Sequence, residues 1–334
     1  MSIKVGINGF GRIGRLFYRA TMGYPDIEIV GVNDLDNAPV LAHLLKYDTV
    51  HGVLTNTVQH DSGELVVDGH RCPMIQEPDP TNLPWSSLGA EFVLESTGIF
   101  RDRNSISGHL SAGAQKVLLT VSGKTPGDVD ATIVMGVNDS VLTSDMTIVS
   151  NGTCTTNCLA PVAKSIHAHF VIRHGFASTI HAYTGDQNLT DAAHKDARRA
   201  RNAAQNIIPA STGAASAIGL VLPELDGLLS GIAMRTPVSD ASLLELILQL
   251  DADPNVDALH EALRADAAGS MTGFLAINDD PIVSSDVIGR PESSIFDTTL
   301  THKWGPKLFY VGSWYDNEWA YVCRLIDVLR KMAA

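Results

Sequence analysis

Residues 9–14, Gly9-Phe10-Gly11-Arg12-Ile13-Gly14, set three glycines between an apolar run and an amphipathic pattern. The run, Ile3 to Asn8, reads as a buried strand, and the pattern, which reaches about Met22, reads as a helix. A second apolar run, Ile27 to Val32, ends at Asn33-Asp34, which puts an acid 20 positions after Gly14. Strand, glycine turn, helix, strand and acid in this order leave few folds open. The glycines allow a tight turn and a close backbone approach to a pyrophosphate at the helix N-terminus. Asp34 is placed to accept hydrogen bonds from the ribose of an adenosine. A dinucleotide cofactor is therefore expected, held by Gly9, Phe10, Gly11, Arg12, Ile13 and Asp34.

The following stretch continues the alternation. Ala38 to Tyr47 has helical spacing, whereas Val53 to Met74 alternates apolar and polar residues around turn signals at Asp61-Ser62-Gly63 and Asp68-Gly69. That pattern predicts small antiparallel hairpins inserted into the nucleotide domain. Phe92 to Glu95, Lys116 to Thr120, Thr132 to Val134 and Ile148-Val149 read as further strands, and Arg103 to Ala112 as a helix. Alternating strands and helices over roughly 150 residues predict an α/β, Rossmann-type doubly wound parallel sheet.

The last of those strands runs into Ser150-Asn151-Gly152-Thr153-Cys154-Thr155-Thr156-Asn157-Cys158, where helical spacing resumes at Leu159, Val162, Ala163 and Ile166. Cys154 therefore stands at the first turn of a helix, with Asn151 or Thr153 as its cap. A thiol there feels unpaired N–H groups and the positive end of the helix dipole, which lowers its pKa and favours thiolate. Most lone cysteines are structural. The cap residues and the polar company mark Cys154 as a nucleophile, while Cys158, one turn on, reads as core.

Beyond the cysteine the character changes. Ser178 to Asp186 reads as a strand entering a polar turn, and a poorly periodic segment from Gln187 to Pro209 carries His194, Lys195, Arg198, Arg199 and Arg201. The whole chain of 334 residues has a formal charge of −13, so this basic cluster stands out against an acidic background. It fits anion binding, a subunit contact or a solvated loop. Net acidity argues against nucleic-acid or anionic-membrane partners. Ser211-Thr212-Gly213 opens an apolar helical run and offers another anion position. Strand-like runs at 231–235, 243–248, 273–277 and 307–311, with a helix from Val256 to Ala268 between them, predict an α+β half with a largely antiparallel sheet. A last helix, Glu318 to Lys331, is expected to bury Tyr321, Val322, Leu325 and Leu329. The expected domains are 1–153 for the cofactor, with the helix 318–334 packing back on it, and 154–317 for catalysis.

No apolar run reaches the roughly 18 residues that cross a bilayer, and Met1 leads straight into a strand pattern. The four cysteines show neither a disulfide nor a metal framework, so no metal is expected and a reducing cytoplasm fits.

Taken in order, several motifs carry a resemblance. Asn8-Gly9-Phe10-Gly11-Arg12-Ile13-Gly14-Arg15, Leu44 to Asp48, Ser96-Thr97-Gly98, the Cys154 stretch, His181-Ala182-Tyr183-Thr184, Arg198 to Arg201 and Trp314 to Trp319 together resemble the phosphorylating glyceraldehyde-3-phosphate dehydrogenase family over essentially the whole chain. The resemblance implies oxidation of D-glyceraldehyde 3-phosphate to 1,3-bisphosphoglycerate with NAD and inorganic phosphate, in glycolysis or gluconeogenesis. It implies Cys154 as nucleophile and His181 as the base that raises its thiolate fraction. Thr184, Asp186 and Arg235 match the site for the substrate phosphate, and Thr153, Thr155, Arg199, Thr212 and Gly213 the site for inorganic phosphate. Thr97, Ser122 and Asn317 match cofactor positions, Asn317 holding the nicotinamide carboxamide. A homotetramer is implied as well. His109, His167 and His260 keep a structural reading.

Departures from the family pattern concern the cofactor. Asp191 is followed by Ala192-Ala193 rather than Leu-Pro, closer to members that accept NADP, and Pro78 replaces a common arginine near the adenine ribose. Asp34 remains to repel a 2′-phosphate. NAD with tolerance of NADP is the expectation. Ser122-Gly123-Lys124 replaces the common Ser-Ala-Pro, with no effect that can be derived. Erythrose-4-phosphate dehydrogenase is a rival, disfavoured by Thr184 and Thr212-Gly213, and a non-catalytic binding or adhesion role is a rival from another class.

Overall fold

The structure, a computed structural model, describes residues 2–334, with the backbone course alone at 214–216. The chain divides into two compact units. The first comprises residues 2–133, 139–152 and 322–334, and the second residues 134–138 and 153–321. Residues 134–138, expected in the nucleotide-binding half, thus fall in the second unit, and the last helix joins the first unit at Val322 rather than at 318.

In the first unit a sheet runs in the order Ala131–Thr132, Ile148–Ser150, Lys116–Leu119, Phe92–Glu95, Ile3–Asn8, Ile27–Asn33, His70–Ile75, Glu64–Val67, Val58–Asp61. Pairing is parallel as far as His70–Ile75 and antiparallel beyond it. The hairpins turn where expected, with Ser62, Gly63, Asp68 and Gly69 all at positive φ, the geometry that suits a tight hairpin. They are not a separate insertion, because His70–Ile75 pairs onto Ile27–Asn33 and extends the same sheet. Strand order reverses between Ile3–Asn8 and Phe92–Glu95. In an open α/β sheet such a switch point opens a crevice at the carboxyl ends of the two strands. The final helix, Trp319–Ala333, buries Tyr321, Val322, Leu325 and Leu329. Its C-terminal part is tied within this unit by Arg330 to Asp26 at 2.9 Å and by Lys116 donating to the Met332 carbonyl at 2.7 Å.

A polar network lies buried beneath that crevice. Trp85 Nε1–H donates to His109 Nδ1 at 3.1 Å. Indole can only donate, so the proton of a neutral His109 is on Nε2, 2.9 Å from Glu95 Oε2. Asn8 donates to the same carboxylate oxygen at 2.6 Å and accepts from Asn33 at 2.7 Å, while Thr97 N–H donates to Glu95 Oε1 at 2.9 Å. Asn33 in turn binds the Glu77 backbone through both N–H and C=O. Four neighbouring strand ends are thereby fixed to one another through side chains that water does not reach.

The second unit holds a mixed sheet in the order Ile208–Ala210, Leu229–Thr236, Ile172–Ala182, Ser242–Leu250, Leu308–Tyr315, Ser294–Lys303, Leu275–Asn278. It is antiparallel except where Ile172–Ala182 meets Leu229–Thr236 and where Leu275–Asn278 meets Ser294–Lys303. The helix Cys154–Phe170 lies in its core, where Cys158, Leu159, Val162, Ala163 and Ile166 pack with Ala177, Leu244, Leu246, Phe309 and Val311. Among the described residues no helix is long and apolar enough to cross a membrane.

The buried network generates a stability prediction. His109→Leu removes a donor from the Glu95 carboxylate and the acceptor of the Trp85 N–H, so it should cost about 3 kcal/mol in urea unfolding. A loss below about 0.5 kcal/mol would mean that the network carries no stability.

Candidate active site

The helix that begins at Cys154 starts where the strand Ile148–Ser150 ends. Gly152 takes a left-handed φ of 63° at the corner, which a side chain would resist. Of the two expected caps the structure uses Thr153, whose Oγ1 accepts from Thr156 N–H at 3.1 Å. Cys154 follows as the first helical residue, half-buried. The expected low thiol pKa is not what results. Burial pushes the Cys154 thiol up, and it outweighs the opposing pull of the Arg235 charge and of hydrogen bonds from the Thr155 hydroxyl and N–H. Nearby Asp240 also pushes in the raising direction. Its own carboxyl is raised to about 9 by burial and by Asp316 and Glu318, so it is protonated near neutral pH and desolvation remains the main opposition.

His181 comes from the neighbouring strand Ile172–Ala182, with Nε2 3.5 Å from Cys154 Sγ. It is buried, and its Nδ1 lies 2.6 Å from the Ala182 carbonyl oxygen. Arg235 on the parallel strand Leu229–Thr236 is directly paired with His181, so both side chains leave the sheet on one face. Its Nη1 stands 2.5 Å from His181 Nδ1. Burial, and then the Arg235 charge, push the imidazole pKa down to about 3. Burial thus disfavours the charged form of both groups.

Beside this pair an anion-ready cluster assembles. Thr184 hydrogen-bonds Asp186 Oδ1, and Arg199 Nη1 donates to Asp186 Oδ2 at 2.6 Å. Although burial opposes it, the Thr184 hydroxyl and the charges of Arg199 and Arg235 hold the Asp186 carboxyl below its usual range. Nε of Arg235 is a buried donor that meets no hydrogen-bond acceptor, whereas Nε of Arg199 faces Asp196 Oδ2 in an ion pair at 3.6 Å. A buried unsatisfied donor is costly, and a bound oxyanion would satisfy the one on Arg235. Thr212 and Gly213 stand at the start of the helix Ala214–Val221. Thr155, expected at an anion site, turns its hydroxyl inward to Tyr315 at 2.8 Å, and Thr179 meets the same phenol at 2.8 Å. Neither Tyr315 nor Thr179 has a role that the sequence alone marks. Period-two alternation does put Thr179 on the same strand face as His181, which was the available signal.

In the first unit a cleft of about 610 Å³ opens at the switch point, lined by Gly9, Gly11, Asp34, Glu77, Pro78 and Thr97 among others. A Cβ on Gly9, whose φ is +94°, would sit 2.7 Å from Thr97 N, and one on Gly14 would sit 2.1 Å from the Gly9 carbonyl oxygen. Gly11 faces open space, and the helix Arg12–Thr21 has no side-chain cap. These backbone N–H groups and the room above Gly11 fit a pyrophosphate. Both oxygens of Asp34 are held by backbone, Oδ2 by Phe10 N–H at 2.6 Å and Oδ1 by Asp36 N–H at 3.0 Å. The remaining lone pairs can still accept from a ribose.

Several side chains or carbonyls at the other expected cofactor positions have partners within the protein. The Phe10 ring is buried against Tyr18, the Arg12 guanidinium pairs with Asp48, and Ile13 is half-buried. Ser122 is not in the lining of the cleft, and its carbonyl accepts from Arg101 at 3.0 Å. Asn317 belongs to the second unit, where its Oδ1 accepts from Ser242 at 2.7 Å. Of the residues given a structural reading, Cys158 is fully buried with its thiol pushed up to about 12 by burial, His109 serves the buried network, and His167 Nδ1 accepts from Ile172 N–H.

Comparison with known proteins adds to this geometry. Residues 3–103 match the family description "Glyceraldehyde 3-phosphate dehydrogenase, NAD binding domain", and residues 153–317 match "Glyceraldehyde 3-phosphate dehydrogenase, C-terminal domain". The chain is 48% identical over 335 residues to glyceraldehyde-3-phosphate dehydrogenase of Geobacillus stearothermophilus, covering 100% of this chain and 99% of the relative. It is 48% identical over 337 residues to the enzyme of that name from Pseudomonas aeruginosa, and 46% identical over 334 residues to glyceraldehyde-3-phosphate dehydrogenase 1 of Bacillus subtilis, with the same coverage.

The depressed His181 pKa sets a pH dependence. The unfolded chain binds the histidine proton near pH 6.5 and the folded chain only near 3. The stability attached to neutral His181 is thus complete above about pH 6.5 and is lost as pH falls toward 3. By about pH 4 wild type should lose on the order of 3 kcal/mol relative to His181→Asn, as read from urea midpoints. A difference between the two proteins that stays flat from pH 7 to 4 would show that His181 is not held neutral by burial.

Proposed function

The chain belongs to the glyceraldehyde-3-phosphate dehydrogenase family, oxidoreductases with an NAD-binding domain, and we propose that it converts D-glyceraldehyde 3-phosphate, NAD and inorganic phosphate into 1,3-bisphosphoglycerate. The observation that carries this reading is the approach of Cys154 Sγ to His181 Nε2 at a helix start, beside Arg235, whose Nε is a buried donor without an acceptor.

In this reading the Cys154 sulfur adds to the substrate carbonyl, and the resulting oxygen is stabilised by His181 and by the N–H groups of the first helical turn. A thiohemiacetal can lose hydride where an aldehyde hydrate in water does so poorly. A bound NAD would supply the hydride acceptor. The acyl group then remains on Cys154 as a thioester, and phosphate attacks it, releasing the acyl phosphate and restoring the thiol. Arg235 and Thr184, the latter oriented by Asp186, hold the substrate phosphate. Arg199, Thr153, Thr212 and Gly213 hold the attacking phosphate, with Thr155 acting through its contact with the cysteine instead of through a hydroxyl aimed at the anion.

For the cofactor, Gly9, Gly11 and the start of the helix Arg12–Thr21 take the pyrophosphate, Asp34 the ribose, and Thr97 and Asn317 further contacts. The backbone-held carboxylate of Asp34 favours NAD, since a 2′-phosphate there would face a fixed negative charge. NADP is tolerated more weakly. The chain works in the cytoplasm as a homotetramer. An exposed apolar pair, Phe176 opposite Ile247 on the second sheet, offers surface for subunit contact.

Initial rates of reduced-cofactor formation from glyceraldehyde 3-phosphate test the reading directly. Turnover should require phosphate, and Asp34→Ala should lower the NAD over NADP ratio of kcat/KM by about tenfold, the equivalent of about 1.4 kcal/mol. Steady turnover at the same rate without phosphate would mean that water takes the acyl group, and the phosphate assignment would fall.

A further inference from the structure

We infer that Glu95 is a permanent negative charge buried beneath the cofactor cleft, and that it sets the cleft to prefer the oxidised, positively charged nicotinamide over the reduced, neutral one. The inference rests on the reading that this cleft takes NAD, and it concerns which redox form the cleft favours.

The charge follows from donors whose direction backbone and indole N–H groups fix. Glu77 N–H donates to Asn33 Oδ1 at 2.9 Å, so Asn33 presents its amide N–H to Asn8 Oδ1 at 2.7 Å. Asn8 must then present Nδ2–H to Glu95 Oε2, at 2.6 Å. Trp85 Nε1–H occupies His109 Nδ1, which leaves the His109 proton on Nε2, 2.9 Å from the same carboxylate oxygen. Asn8 Nδ2 and His109 Nε2 stand 3.4 Å apart, two donors converging on one oxygen. At Oε1, Thr97 supplies its N–H at 2.9 Å and its hydroxyl, which itself accepts from Ile99 N–H at 3.1 Å. These donors fill the lone-pair sites of both oxygens, and no acceptor remains for a carboxyl proton. Glu95 is fully buried, and among the described residues no lysine or arginine pairs with it.

This charge lies directly under the cleft. Asn8, Asn33, Ser96 and Thr97 line it, and Glu95 touches Asn8 and Thr97. Asp34, Asp36 and Glu77 line it as well, but each is at least partly exposed, so water screens their charges. A buried charge is screened less and acts over a longer range. Both redox forms of the cofactor share the pyrophosphate and adenosine, so repulsion between Glu95 and the phosphates cancels when the two are compared. The ring is what differs, positive when oxidised and neutral once it has taken hydride. A fixed anion therefore stabilises the oxidised complex alone, and its hydrogen bonds hold it in place through the change. Glu95 acts through its field rather than by contact. Such a charge suits an enzyme that takes up the oxidised form and lets the reduced form go.

The test is calorimetric titration of the full-length protein with NAD, NADH and ADP-ribose, comparing wild type with Glu95→Gln. The ratio of the NADH dissociation constant to the NAD constant should fall by about fivefold in Glu95→Gln, on the order of what one unit charge exerts through protein. General loosening of the cleft would weaken all three ligands together and leave that ratio unchanged, and an unchanged or rising ratio would overturn the inference. A glutamine amide sets its own N–H groups against neighbouring donors, so Glu95→Gln combined with His109→Gln, in which the two amides can bond each other, is the second variant and should show the same fall. If neither variant folds, the carboxylate is a folding element and the inference is withdrawn. Wild type that binds none of the three ligands would sink the cofactor reading of the cleft. Binding with an unchanged ratio would sink the charge alone.

Discussion

The strand Ile172–Ala182 is the constraint on which the second unit depends. It pairs in parallel with Leu229–Thr236 on one side and antiparallel with Ser242–Leu250 on the other, and it follows directly from the helix that begins at Cys154. Because side chains alternate across a strand, one register sends Thr179 and His181 to the same face. The parallel partner then supplies Arg235 directly opposite His181. A slip of one residue on either strand would turn the imidazole or the guanidinium to the other face of the sheet. The interior packing of Ala177, Leu244 and Leu246 against the cysteine helix holds the register.

Charge in this site is governed by burial more than by proximity to dipoles. A helix start and an arginine both favour thiolate, yet the Cys154 thiol ends above its usual range because removing a charge from water costs more than those contacts return. The same desolvation keeps His181 neutral.

The first unit solves a different problem. Its crevice needs backbone exposed at the ends of Ile3–Asn8 and Phe92–Glu95, and exposed strand ends are easily displaced. The side chains of Trp85, His109, Glu95, Asn8 and Asn33 link those ends from below, each satisfied by the next. Gly9 and Gly14 above them stay small because neighbouring backbone occupies the space a Cβ would need. A satisfied network beneath and bare backbone above line the cleft.

Much of this was legible without coordinates. The glycine turn, the acid 20 positions later, the helix start at Cys154 and the helix Val256–Ala268 are local patterns, and local patterns survive folding because hydrogen-bond geometry and periodicity generate them. The hairpin turns at Ser62-Gly63 and Asp68-Gly69 were readable for the same reason. Their addition to the main sheet was not, since strand pairing between distant segments leaves no spacing in the chain. Nor could the sequence reveal that the Thr155 hydroxyl turns to Tyr315, 160 positions away, or that Arg235 meets the ring of His181 across 54. The sequence by itself determined which residue types could do chemistry and the elements that carry them. The tertiary structure alone decided their protonation, because protonation depends on how much water is excluded and on which distant charges are brought within a few ångströms.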